Sequence, residues 1–397
     1  LRSKEWKEQC LRWIQAAYEG APESSIGKAA AVALYGKELE NSATELERFA
    51  ACAFAHFLQY GLKVTERAEY EFRAMDMGNV MHMALEKFAA EVRKEGLDWA
   101  ELTEEERNRI IDSCLDQVSA DYGNTILKSS ARNEYMIERT RRILRRTVWA
   151  LQEQLKHGAF RPEGFEVRFQ GGRIDRVDIM EEPENNRVYV KVIDYKTGNT
   201  SFDLLALYHG LQLQLMVYLD GALQVEKRKY PDREIVPAGV FYYNVKDPMI
   251  QEKIHADMES INEQMLKKMK MNGLVQADDN MSTKIDSTMA SIPVSLNRDG
   301  SFSKRSSVAS RKQFDALGAY VRRKICDIRE SILDGNAAVE PYELGKKNAC
   351  TYCPYLTVCG FDRKIPGYEF HRLSSIEEDA LWKKIMKGEE ENGSEMD

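Results

Sequence analysis

Residues 171–198 read GGRIDRVDIMEEPENNRVYVKVIDYKTG, and the reading of this stretch decides the fold. Residues 173–179 alternate into apolar positions, as a strand with one buried face does. The cluster at 181–186, EEPENN, supplies turn chemistry, and 188–193 then runs as a β-branched strand that stops at Gly198. Asp175 lies early in the first strand, while Asp194, Tyr195 and Lys196 close the second. Side chains alternate along a strand, so Asp194 and Lys196 share one face and Tyr195 points to the other. Two carboxylates beside an ammonium suit Mg²⁺, which is usually held by one or two carboxylates plus substrate phosphate. A cation so held can activate water for displacement at phosphorus, and a lysine beside it can orient that water or stabilise developing charge. A D-x-K triplet alone is most often a surface salt bridge. Asp175 together with Ile193-Asp194-Tyr195-Lys196 at a β-branched strand end points to chemistry instead.

These residues carry a resemblance. GRIDRVD…VIDYKTG resembles the core of the PD-(D/E)XK nucleases, and in particular their RecB-like branch. GNVMHMALE at 78–86, GLQLQLMVYL at 210–219 and a cysteine set near the C-terminus carry the same resemblance. In detail the chain is most similar, over residues 34–361, to the nuclease domains of AddB-type subunits of AddAB helicase–nucleases. The resemblance implies an α/β fold, a restriction-endonuclease-like core with a mixed central sheet and flanking helices. It implies a metal-dependent exonuclease that hydrolyses DNA during double-strand-break processing and homologous recombination. On the same basis Asp175, Asp194 and His82 hold Mg²⁺ or Mn²⁺, Glu86 supports His82, and Lys196 acts on the water. Gln214 and Tyr218 border the site. An AddA-like partner subunit, single-stranded DNA ends as substrate and cleavage directed at the 5′-ended strand are further implications. A stand-alone iron–sulfur exonuclease of the CRISPR-adaptation or replication type is the nearest alternative. SATELERFAACAF and YHGLQLQLMVYLD favour the AddB type. A nuclease-dead DNA-binding module is the alternative from another class, and the intact Asp175, Asp194 and Lys196 argue against it.

The cysteines form the second signal. Cys350, Cys353 and Cys359 are spaced C-x2-C-x5-C, a thiolate trio that needs a fourth ligand for tetrahedral zinc or a four-cysteine iron–sulfur cluster. Cys326 lies upstream on an expected helix. Read from the residues alone, Cys52 is a buried small hydrophobe on a helix that starts at a capping box, Ser42 to Glu45, and carries Leu46, Phe49, Phe54 and Phe57. The resemblance makes Cys52 the fourth ligand of a [4Fe–4S] cluster joining the two ends of the domain, with Ala53 standing where the family usually has proline. Zinc is the rival chemistry.

Composition bounds the rest. The 397 residues are 43% hydrophobic and 30% charged, with a net charge of −7, which does not advertise nucleic-acid binding and leaves the task to a local basic track. The densest such track is Arg139, Arg141, Arg142, Arg145 and Arg146, on an expected helix within 95–157, with Arg142 and Arg146 as the candidate phosphate contacts. An odd count of seven cysteines without an export signal fits a reducing cytoplasm. No G-x4-G-K-[ST] segment is present, so no P-loop is expected. The chain opens on Leu1, consistent with a piece of a longer polypeptide. Expected divisions are a helical lead-in at 1–40, a nuclease domain at 41–387 with an irregular insertion at 246–310 and the cysteine loop at 350–359, and a disordered tail at 388–397.

Overall fold

The computed structural model describes residues 4–18, 24–65, 74–122, 130–250, 257–278 and 280–393. In chain order its helices are α1 (Lys4–Tyr18), α2 (Lys28–Tyr35), α3 (Ala43–Ala51), α4 (Ala53–His56), α5 (Ala74–Lys94), α6 (Glu104–Asp121) and α7 (Ala131–Lys156). They continue as α8 (Leu204–Tyr208), α9 (Gln214–Lys229), α10 (Met258–Lys268), α11 (Met281–Ile285), α12 (Arg311–Leu333), α13 (Leu356–Cys359) and α14 (Glu378–Gly393). The main strands are β1 (Arg161–Phe169), β2 (Gly172–Glu182), β3 (Arg187–Lys196), β4 (Glu234–Asn244), β5 (Asn272–Gln276) and β6 (Val308–Ala309). The chain forms two compact units, one from 1–67, 203–214 and 316–397, the other from 68–202 and 215–315.

The second unit is built on a six-stranded mixed sheet in sequence order, antiparallel except where β4 pairs with β3 and β6 with β5. Strand β3 is buried along nearly its whole length, as a strand covered on both faces must be. One face packs on α5, α6 and α7 through residues such as Phe88, Leu115, Leu144, Tyr189, Ile193 and Tyr243. Two tight turns set the register of the quoted stretch. Gln170 and Gly171 join β1 to β2, with Gly171 at φ 129° and Gly172 at φ 151°, conformations that glycine adopts without strain. Pro183–Asn185 is a 3₁₀ turn that hands the chain to β3 through left-handed Asn186.

The sheet corrects one expectation. The 246–310 stretch holds α10, β5 and β6, and β5 is a full member of the central sheet. Its Asn272 side chain accepts from the Phe202 amide, so the segment also braces the loop after β3.

The first unit pairs the N-terminal lead-in with residues far along the chain. The Ile26 amide donates to Gly335 and that of Ala337 to Ser24, both at 2.9 Å, so 24–26 is stitched into this unit and is no detached lead-in. Ser42 caps α3 as expected, but the reciprocal half of the capping box is missing because Glu45 turns to buried His56 at 3.3 Å. The expected continuous helix breaks at Cys52, whose extended backbone (φ −168°, ψ 113°) separates α3 from α4. Helix α14 runs through residues 388–393 of the expected tail, and 394–397 lie outside the described residues. No helix among the described residues is long and apolar enough to cross a membrane.

Candidate active site and cysteine centre

Register brings the acidic residues into one row. The turn after Phe169 places Glu166 of β1 opposite Asp175 of β2, and the β2–β3 register places Asp175 opposite Asp194. Asp175 Oδ2 accepts from the Tyr195 amide at 2.7 Å and lies 3.3 Å from His82 Nδ1. Lys196 Nζ sits 2.7 Å from Asp194 Oδ2, while the Tyr195 ring packs into the helical layer on the opposite face. His82 reaches the row because α5 crosses close above the loop after β3. A Cβ on Gly78 would lie 3.1 Å from Thr197 Oγ1, so a side chain there would lift the helix one turn before His82.

The ligand atoms of His82, Glu166 and Asp175 all lie within 4.8 Å of one another. Glu166 is not among the sequence candidates. Its backbone is left-handed at φ 50°, beyond an irregularity in the β1–β2 register at Pro162 and Gly164. A non-glycine residue in that region stores strain, which recurs at functional sites. Arg173 pairs with it. Strand alternation and a two-residue turn at Gln170-Gly171 are the available signal, since together they put Glu166 across from Asp175.

The electrostatics are those of carboxylates crowded out of water. Burial, then the Asp175 charge, pushes Glu166 up to about 7. Burial and Asp175 likewise push Asp194 up to about 6 against the opposing pull of Lys196. Burial works against protonating His82, but its hydrogen bond to Asp175 and the nearby carboxylates hold the imidazole above its ordinary value. A divalent cation would relieve this mutual repulsion, and an oxygen-rich set with one imidazole fits Mg²⁺ or Mn²⁺. Cation binding needs these carboxyls ionised. Mn²⁺ affinity measured by titration across pH about 5 to about 8 should therefore climb through about 6 and about 7 and then level off. A pH-independent affinity would contradict the assignment. The sign for folding without metal is the reverse, because raised carboxyl pKa values favour the folded chain at low pH and lose that contribution as pH rises through the same window.

The remaining candidates are placed as follows. Glu86, half-buried, adds to the charge that raises Glu166. Tyr218 packs edge-on against Phe169 at 5.9 Å and lies beside Gly172 at the start of β2. Gln214 opens α9, which begins three residues later than the expected helix at 211, and belongs to the first unit. Arg142 and Arg146 both pair with Asp247, Arg142 at 2.7 Å, while Arg141 and Arg145 pair with Asp112. The basic track is therefore largely neutralised from within.

Within the first unit, Cys52, Cys350, Cys353 and Cys359 line one cavity whose other walls include Phe54, Pro341, Leu356 and Phe361. The break at Cys52 turns that residue toward the loop, and Asn348 Oδ1 shapes the loop by accepting from the Cys350 and Thr351 amides at 3.0 Å. Cys326 is exposed and is not part of the cavity lining. Burial, then the other three sulfurs, pushes the Cys350 thiol up to about 11, and burial raises Cys52. Thiols so placed ionise readily only with a bound cation, and four convergent sulfurs in apolar walls fit either zinc or an iron–sulfur cluster.

Comparison with known proteins accords with this geometry. Residues 40–360 match the PD-(D/E)XK nuclease superfamily. The chain belongs to that superfamily. Its PD-(D/E)XK relatives include a protein of Lachnoclostridium phytofermentans named as a subunit of an ATP-dependent helicase/deoxyribonuclease, 40% identical over 95% of this chain and 34% of the relative. The proteins of the same name from Alkaliphilus metalliredigens and Clostridium acetobutylicum are 34% and 32% identical, over 96% and 99% of this chain and 35% and 36% of their own. The chain thus spans about a third of the length of these curated relatives.

Proposed function

We propose that the chain is a divalent-metal-dependent deoxyribonuclease, the nuclease portion of an AddB-type component of a helicase–nuclease. It would act with an AddA-like partner on single-stranded DNA ends during double-strand-break processing and recombination. The observation that carries this reading is the row Glu166, Asp175, Asp194, with His82 against it and Lys196 at its end. His82, Asp175 and Asp194, with Glu166 added, would hold Mg²⁺ or Mn²⁺. Such a cation supplies Lewis-acid stabilisation of the phosphoryl oxygens and a more acidic bound water. Asp194 fixes the Lys196 ammonium on the reacting face, where it can orient the attacking water and offset charge developing on phosphorus oxygens. Asp175 fixes the His82 ring, and the Tyr195 amide fixes Asp175, so the ligand set is organised before substrate arrives. Gln214 and Tyr218 would border the strand being cut. The free thiols suit a reducing cytoplasm.

The cysteine centre is read as [4Fe–4S], with zinc the second chemistry. Brown colour with iron and sulfide after anaerobic purification separates the two. Arg142 and Arg146 share one carboxylate, which leaves one net positive charge at a surface where both are exposed. Replacing both by alanine should therefore lower the slope of log affinity against log salt by roughly 0.7–0.9, one phosphate contact. An unchanged slope would leave them as clamps for Asp247 alone.

The function is tested with single-stranded DNA labelled at either end. The proposal expects degradation that needs Mg²⁺ or Mn²⁺ and product ladders consistent with attack on the 5′-ended strand. Binding without cleavage in both metals would favour the nuclease-dead reading.

A further inference from the structure

We infer that Glu47 is a positioning residue whose carboxylate caps the N-terminus of α9, and that α3 ties this cap to the cysteine centre. The inference rests on the reading of Gln214 and Tyr218, both carried by α9, as residues bordering the nuclease site. The first amides of any helix lack intrahelical acceptors. Residue 213, just before α9, is leucine and offers no capping oxygen. Glu47 Oε1 fills that role from far away in sequence, accepting from the Leu213 amide at 2.7 Å and the Gln214 amide at 2.9 Å. A carboxylate at this end of a helix also meets the positive pole of the helix dipole.

The same face of α3 makes a second contact with the segment that leads into α9. Ala50, one turn beyond Glu47, lies so close to Gly210 that an added Cβ there would come within 3.2 Å of the Ala50 methyl, and Gly210 is left-handed at φ +81°. Between these anchors the segment holds itself. Gln212 Oε1 accepts from the Asp203 amide at 2.8 Å, Asp203 caps α8, and the Tyr208 ring stacks on Tyr320 at 5.1 Å.

The neighbouring positions on α3 face the sulfurs. Arg48 Nη2 lies 4.0 Å from Cys353 Sγ, its guanidinium sits over the Tyr355 ring at 5.7 Å, and the helix ends on Cys52. One nine-residue helix therefore carries the α9 cap, the Gly210 contact, a cation beside a thiol and a cavity cysteine. A shift of α3 on loss of metal from the cysteine centre would reach the α9 amides first.

The test compares Glu47→Ala and Glu47→Gln with the metal-loaded wild-type chain by hydrogen exchange and steady-state cleavage of single-stranded DNA. Glu47→Ala should raise exchange of a peptide covering 211–216 by about tenfold or more, equivalent to about 1.4 kcal/mol. It should lower kcat with KM little changed and metal content intact. Glu47→Gln, which still offers an acceptor, should recover most of the protection and of kcat. On a Gln214→Ala background Glu47→Ala should cost little further activity. Chelating the metal from the cysteine centre should raise exchange of the same peptide. If Glu47→Ala fails to fold, Glu47→Asp, one methylene short of the two amides, carries the comparison. Unchanged exchange at 211–216 overturns the cap, and raised exchange with unchanged kcat overturns the positioning role. Unchanged exchange after chelation overturns the link through α3. Wild-type kcat in Gln214→Ala would instead remove the reading of Gln214, with the cap still decided by exchange.

Discussion

Asp194→Ala and Lys196→Ala are each expected to lower DNA cleavage by about 10²–10³-fold while leaving the fold intact, a loss of about 3–4 kcal/mol of transition-state stabilisation. The two residues form a 2.7 Å pair in which Asp194 is 3% exposed and Lys196 28%. Removing Asp194 deletes a ligand oxygen, and the partly exposed Lys196 can turn to solvent, so no charge is stranded. Removing Lys196 strands Asp194, which burial and Asp175 already push up to about 6, so it takes up a proton and folding survives. Circular dichroism and melting should stay close to wild type. Cleavage within about tenfold of wild type, ~1.4 kcal/mol, would remove these residues from the reaction. His82→Ala should follow the same pattern, and a silent result would return His82 to packing against Tyr195, whose ring centroid lies 6.1 Å away.

Cys52→Ala should cost the bound metal, its colour and resistance to proteolysis together, although Cys52 lies far in sequence from the other three sulfurs. A metal that bonds Cys52 to Cys350 closes most of the chain into a loop, worth about 5–6 kcal/mol by the chain-entropy relation used for disulfides. The local packing that remains is small, a cluster of Cys52, Ala55, Leu58 and Tyr355, so little else holds α4 to the cysteine loop. Cys326→Ala should change none of these properties. Metal loss on Cys326→Ala, with retention on Cys52→Ala, would contradict the four-residue centre.

The sequence is legible where period and turn chemistry agree. The β-branched run ending at Lys196 and the turn residues on either side of β2 make the hairpin readable, and with it the shared face of Asp194 and Lys196. Glu166 escapes that reading because FEVRF looks only like an entering strand, although the Gln170-Gly171 turn already sets it opposite Asp175. Strand β5 escapes it for a different reason. NGLVQ is short and glycine-bearing, and Gly273 is needed because an added Cβ would collide with the Val240 carbonyl of β4, a tertiary constraint that local propensity does not show. The break at Cys52 is likewise invisible, since LERFAACAFAHF has helical spacing throughout. Glu45 pairs with His56 beyond the break instead of closing the capping box. The arginine track looks free in sequence because its partners, Asp112 and Asp247, lie on other elements.

The most direct measurement is cleavage of end-labelled single-stranded DNA by the wild-type chain stripped of loosely bound metal and then titrated with Mn²⁺, with binding followed in parallel. The account predicts that cleavage appears with Mn²⁺ occupancy of a site lost in Asp194→Ala. It also predicts that Glu166→Gln weakens that occupancy without altering the cysteine-bound metal. Cleavage that persists without divalent cation, or Mn²⁺ binding unchanged by Asp194→Ala, would contradict it.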